Sequence, residues 1–151
     1  MGLALACRGG PARRPIEAED ATMFAITGLY AAALTALMMV LGGRVSLMRL
    51  ATGVSLGDGG KPALTERIRV HANLIENLPM AVILMGIAEA QGAAAGYLHT
   101  MGAILLISRI AHPFGISSTN GRLIARPLAA TGTAIALLMG IGFIAWKAFA
   151  A

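Results

Sequence analysis

Apolar residues fall into four runs, at 24–41, 74–90, 97–110 and 127–145, with polar connections between them. Each run is roughly 15–20 residues, near what a helix rising 1.5 Å per residue needs to cross a bilayer. The second run is preceded by a polar stretch that keeps helical spacing. The third is short, but Ala111, His112 and Pro113 extend it. The fourth ends at Trp146 and Lys147, an interfacial anchor pair. The pattern predicts an all-α integral membrane protein with four apolar helices in a single domain, 23–151.

The connections carry the topology. The first, 42–67, holds Arg44, Arg49, Lys61 and Arg67. It also holds a turn, Gly57-Asp58-Gly59-Gly60, and then Pro62 at an expected first helical position. The second, 91–96, is Gln-Gly-Ala-Ala-Ala-Gly and has no charge. The third, 114–126, carries Arg122 and Arg126. Positive connections stay in the cytoplasm, so the first and third are expected there, with both termini outside, in a multi-pass protein of the plasma (inner) membrane.

Composition agrees. Of 151 residues, 57% are hydrophobic and 13% charged, where a soluble domain has about a quarter charged; a soluble domain of this length could not hide so much apolar surface. The mean hydropathy is +0.75. The 19 glycines suit helices that pack closely in lipid. The net charge of +5 forms no basic patch with interleaved aromatics, which argues against a nucleic-acid partner. The lone Cys7 cannot make an internal disulfide. Residues 1–22 lack a basic start and a sufficiently long apolar stretch for a signal peptide. They are expected to be either a disordered tail or a segment upstream of a true start at Met23.

Ionisable groups in membrane segments cost several kcal/mol unless paired or hydrated, and this chain has two clusters. From Glu66 to Pro79 the second helix reads ERIRVHANLIENLP. At 100° per residue, Arg69, Asn73 and Glu76 share an arc of about 60°, and His71 falls roughly opposite Asn73. Pro79, lacking an N–H, is expected to kink the helix. The second cluster is Arg109 with His112, three apart, and Arg122 with Arg126, four apart. If both basic connections share one side, the clusters share a depth and can meet in one polar pocket.

Several cations with one carboxylate and an amide suit a small zwitterion with free carboxylates, held by arginine forks and by Glu76 on its ammonium. An arginine beside a ligand thiol would favour the thiolate. A blander reading stands beside this one. Arg69 and Glu76 would be a pair fixing register in an oligomer, and Arg109, Arg122 and Arg126 topology signals reaching lipid phosphates. No zinc-like spacing of His, Cys or carboxylates occurs, so no metal is expected. Ser108 near His112 lacks a placed acid for a triad. Glu89, near the end of the second helix, reads as solvated.

The run Arg69-Val70-His71-Ala72-Asn73-Leu74-Ile75-Glu76-Asn77-Leu78-Pro79 resembles the signature of the MAPEG family (membrane-associated proteins in eicosanoid and glutathione metabolism): Arg, then Asn four on, Glu seven on and Pro ten on. Arg109-Ile110-Ala111-His112 is similar to the family's third-helix end, and Arg122 and Arg126 to its paired arginines opening helix four. The run 53–60 resembles the small bacterial branch. The resemblance covers about 23–151. It implies an integral membrane four-helix bundle assembled as a homotrimer, with glutathione as co-substrate between subunits near the cytoplasmic side. Arg69, His71, Asn73, Glu76, Arg109 and His112 would line that site. Arg126, with Arg122 second, would stabilise the thiolate that attacks a small hydrophobic electrophile or lipid hydroperoxide arriving through membrane lipid. Catalytic members carry tyrosines near the end of helix three and sometimes one after the motif glutamate. Here Phe114 and Ile116 follow His112, Asn77 follows Glu76, and the tyrosines are Tyr30 and Tyr97. That departure bears on catalysis more than on glutathione binding. It leaves a non-catalytic membrane scaffold, or a lipid- or helix-binding protein of the same fold, as the alternative.

Overall fold

A computed structural model describes residues 24–117 and 121–150, with side chains at 24–113 and 130–150. The expectation for 1–22 lies outside the described residues. Among the described residues four helices run in order: α1 Ala25–Thr52, α2 Pro62–Ala90, α3 Ala95–Ser117 and α4 Gly121–Ala150. Short connections make sequential neighbours antiparallel. One end of the bundle, the basic end, therefore holds the 53–61 connection, the end of α3 and the start of α4. The opposite end holds the start of α1, the end of α2 and the start of α3. Among the described residues, three helices are long and apolar enough to cross a membrane: α1, α2 and the 130–150 part of α4.

All three connections are shorter than the apolar pattern predicts, the second by two residues and the first and third by much more. The run ending at Leu41 is not the end of α1, which continues about three turns to Thr52 and takes Arg44 and Arg49 with it. The reason is that charge marks where a helix leaves lipid, not where its hydrogen bonding stops. Gly53, in the left-handed region at φ 66°, ends it, and the Val54 N–H returns to the Arg49 carbonyl at 3.2 Å. Similarly, α3 runs to Ser117 and α4 starts at Gly121, so most of 114–126 is helical. The 57–60 turn forms as expected, with Gly57, Gly59 and Gly60 at positive φ. Pro62 opens α2, and α2 is assigned as one helix through Pro79.

The core is a continuous layer of Leu34 and Leu41 from α1, Leu74, Leu78, Ala81 and Met85 from α2, Leu98, Met101 and Leu105 from α3, and Ala136 from α4. Outside it the helices stay apolar. Ile75, Met80, Ile83, Leu47, Leu138 and Ile141 are all exposed, as a lipid-facing surface requires. Close approach between α3 and α4 depends on Gly132, where an added Cβ would fall onto the Ser108 hydroxyl.

The opposite end is tied by polar contacts. Glu89 is not merely solvated: Oε1 accepts the Ile26 N–H at 3.0 Å and Oε2 the Thr27 N–H at 2.8 Å. Phe24, the residue before α1, supplies no side-chain cap, so a carboxylate 63 positions on from Ile26 does that work. The Tyr30 hydroxyl donates to the His99 carbonyl at 3.1 Å, and the Tyr97 hydroxyl to the Met139 carbonyl at 2.7 Å.

Candidate polar site at the basic end

The α2 stripe that packs inward is Val70, Leu74, Leu78, Ala81 and Met85. Taking Leu74 as its centre, Asn73 lies about 100° to one side, and Arg69 and Glu76 lie about 140–160° away. The structure follows this rotation. Arg69 and Glu76 are exposed, and Asn73 is half-buried. The three share an arc, but only Asn73 turns into the bundle.

Asn73 there meets Arg109 of α3. Arg109 is 4% exposed. Its Nη1 donates to Asn73 Oδ1 at 2.6 Å and to the Asn73 carbonyl at 3.2 Å. Its Nη2 donates to the Thr133 hydroxyl of α4. One guanidinium thus joins three helices. Its partners in these bonds are neutral oxygens, and its Nε, also buried, has no partner among the described residues. Asn77 completes the cluster, donating from Nδ2 to the Asn73 carbonyl at 2.9 Å. Asn77 is also the position whose α-helical N–H reaches that carbonyl, so side chain and backbone converge on one oxygen.

His71 lies elsewhere. It stands about 60° to the other side of Leu74, and its ring packs on α1, where a Cβ at Gly42 would lie 3.1 Å from its Cε1. Its Nδ1 is buried without a hydrogen-bond partner among the described residues. His112 is buried at 8% exposure one turn beyond Arg109 and is engaged in interactions of its own. The backbone carrying Arg122 and Arg126 belongs to α4, but their side chains lie outside the described residues, as do those of Phe114 and Ile116. Of the residues singled out from sequence, the structure brings Asn73 and Arg109 into direct contact and leaves Arg69 and Glu76 on the outer surface of the bundle.

Arg69 has its own surroundings. It lines an open cleft of about 390 Å³ with Arg49 from the end of α1, Gly57 and Asp58 from the connection, and Thr65 and Ile68 from α2. Asp58 is committed within that connection. Oδ1 accepts the Gly60 N–H at 2.9 Å and Oδ2 the Thr65 hydroxyl at 2.7 Å. These bonds hold its carboxyl below the usual 3.8. Arg49 Nη1 donates to the Ser55 carbonyl at 3.2 Å. A cavity of about 30 Å³, room for one water, lies between Leu41, Arg44, Glu66, Arg67, Val70 and Pro113. Among the described residues no cluster of His, Cys, Asp or Glu could hold a metal ion.

Two residues of this network escape the motif-based reading, Thr133 and Asn77. The available signal for Thr133 is a hydroxyl in an otherwise apolar membrane segment, next to a glycine. For Asn77 it is an amide one turn after Asn73.

Comparison with known proteins places the chain as a whole. The MAPEG family model matches residues 27–146. The Inner membrane protein YecN of Escherichia coli K12 is 31% identical over 124 residues, covering 81% of this chain and 95% of that protein. The protein of the same name from Escherichia coli O6:H1 (strain CFT073) gives the same figures. The chain belongs to the MAPEG family.

Proposed function

We propose that this protein is a membrane-bound, glutathione-dependent transferase or peroxidase that works as a homotrimer. The basic end faces the cytoplasm, and glutathione binds where the Arg69–Glu76 face of α2 meets another subunit. The observation that carries this reading is the exposure of Arg69 and Glu76 on a membrane helix whose neighbouring surface is Ile75, Met80 and Ile83. Opposite charges about 10 Å apart along the helix are costly against lipid. A zwitterion with carboxylates at one end and an ammonium at the other neutralises both. Arg69 takes a carboxylate and Glu76 the ammonium. Arg126, with Arg122 second, stabilises the thiolate, whose sulfur forms a bond to an electrophilic carbon as the leaving group departs. Fixed positive charge at the sulfur is worth a few kcal/mol in such a site.

The test is thiolate absorbance of glutathione across a pH series with purified protein in detergent, wild type beside Arg126→Ala. The expected result is saturable binding with a thiol pKa well below that of free glutathione. The pKa shift is lost in the variant and binding is partly kept. Full turnover of an electrophile by Arg126→Ala would refute the mechanism.

A second reading, a non-catalytic scaffold of the same fold, draws on the tyrosines. Both sit away from the basic end, Tyr30 bonded to His99 and Tyr97 to Met139. It expects no binding at millimolar glutathione and an assembly defect in Arg69→Ala.

A further inference from the structure

We propose that Arg109 and Thr133 form a positioning lock for Asn73, with Arg109 acting on the site through that amide and making no contact with the ligand. The proposal rests on the glutathione reading and extends it to residues that reading leaves without a role.

The geometry is specific. Arg109 spends Nη1 on both oxygens of Asn73 and Nη2 on Thr133. It is buried, and so is Thr133 at 3% exposure. A guanidinium is planar, so fixing one prong fixes the other. Thr133 therefore sets the plane in which Nη1 meets Asn73 Oδ1. Asn73 lies on α2 between Arg69, one turn before it, and Glu76, three residues after it. Holding the Asn73 side chain and carbonyl from α3 fixes the rotation of α2 about its axis, and with it the direction in which Arg69 and Glu76 project. α4 enters through Gly132: an added Cβ there would overlap the Ser108 hydroxyl, so the missing side chain lets Thr133 come down beside Arg109. The lock thus couples α4, through α3, to the charged face of α2.

The experiment uses the full-length protein in detergent with ¹⁵N-labelled asparagine. The chain has three asparagines, Asn73, Asn77 and Asn120, so the side-chain amide spectrum is sparse. The Asn73 pair is identified by its loss in Asn73→Ser. Thr133→Val removes the hydroxyl at nearly constant volume, and Thr133→Ser restores it. Thr133→Val should move the Asn73 amide resonances and weaken glutathione binding about tenfold, as loss of a group supporting a precise site does. Thr133→Ser should return both to wild type, which a loss of packing alone would not do. An unmoved Asn73 pair in Thr133→Val overturns the lock. So does a moved pair with unchanged glutathione affinity, or a change that serine fails to rescue. If the wild type binds no glutathione, the functional reading falls. The resonances then decide the lock alone: moved and rescued supports it, unmoved overturns it. Should Thr133→Val fail to assemble, Arg109→Lys takes its place, keeping the charge but losing the fork, with the same expected shift in Asn73.

Discussion

Glu89→Ala is the sharpest test of how the bundle closes at the end away from the charged site. α1 starts at Ala25 after Phe24, whose φ of 66° is unusual for a side-chain-bearing residue and which offers no cap. The second and third N–H groups of the helix, on Ile26 and Thr27, go instead to the two oxygens of Glu89 at 3.0 and 2.8 Å. Losing an N-cap costs about 1 kcal/mol. A carboxylate at the positive end of a helix dipole adds roughly 0.3–1 kcal/mol. The sum is about 1.3–2 kcal/mol for Glu89→Ala and near half of that for Glu89→Gln, which keeps one acceptor oxygen and loses the charge. At roughly 2–4 °C per kcal/mol for a chain of this size, Glu89→Ala should lower Tm by about 3–8 °C in detergent, with Glu89→Gln between it and wild type. Hydrogen exchange at Ile26 and Thr27 should accelerate while exchange in the Leu74–Met85 part of α2 does not. An unchanged Tm together with unchanged exchange at those two amides would refute the assignment of Glu89 as the cap.

Gly132→Ala should destabilise by about 1–3 kcal/mol through overpacking against Ser108. Adding Ser108→Ala, measured in the same unfolding assay, should recover part of the loss. The Asp58 carboxyl titrates below its usual 3.8 because Gly60 and Thr65 donate to its charged form. Its contribution is therefore complete above that value and lost as pH falls through the lower folded-state value. Limited pepsin digestion should show cleavage near 53–61 rising as pH drops from about 4 towards 2, with Asp58→Ala cleaved readily across that whole range; a variant as resistant as wild type at the upper end would count against the tie.

Much of this architecture is legible in the pattern, and what is not has identifiable causes. Four apolar runs give four helices because a membrane admits few other spanning solutions. The connections misled for the opposite reason: Arg44 and Arg49 leave lipid while α1 remains hydrogen-bonded to Thr52. The Arg69, Asn73 and Glu76 arc follows from periodicity alone. Which edge of the arc faces inward does not, because α2 is apolar on both faces. Ile75, Met80 and Ile83 look outward as Leu74, Leu78 and Ala81 look inward. In a soluble helix the apolar stripe would fix the rotation; in lipid it cannot.

Polar residues supply the information that hydrophobicity withholds. A side chain that can hydrogen-bond inside a membrane protein reports a neighbour, since lipid offers none. Glu89 reports the start of α1, His71 stands on the same flank of α2 against Gly42, and Asn73 and Asn77 stand on the other flank beside α3. These positions fix α2 between its two neighbours without reference to the core. Arg69 and Glu76 lie outside both flanks, and their exposure therefore follows from the rotation that the other polar residues impose. A charge turned outward by that rotation, in a helix that faces lipid, needs a partner from outside the bundle. Under the proposed function, this places the charged ligand on the outer face of α2 rather than beside the enclosed Arg109.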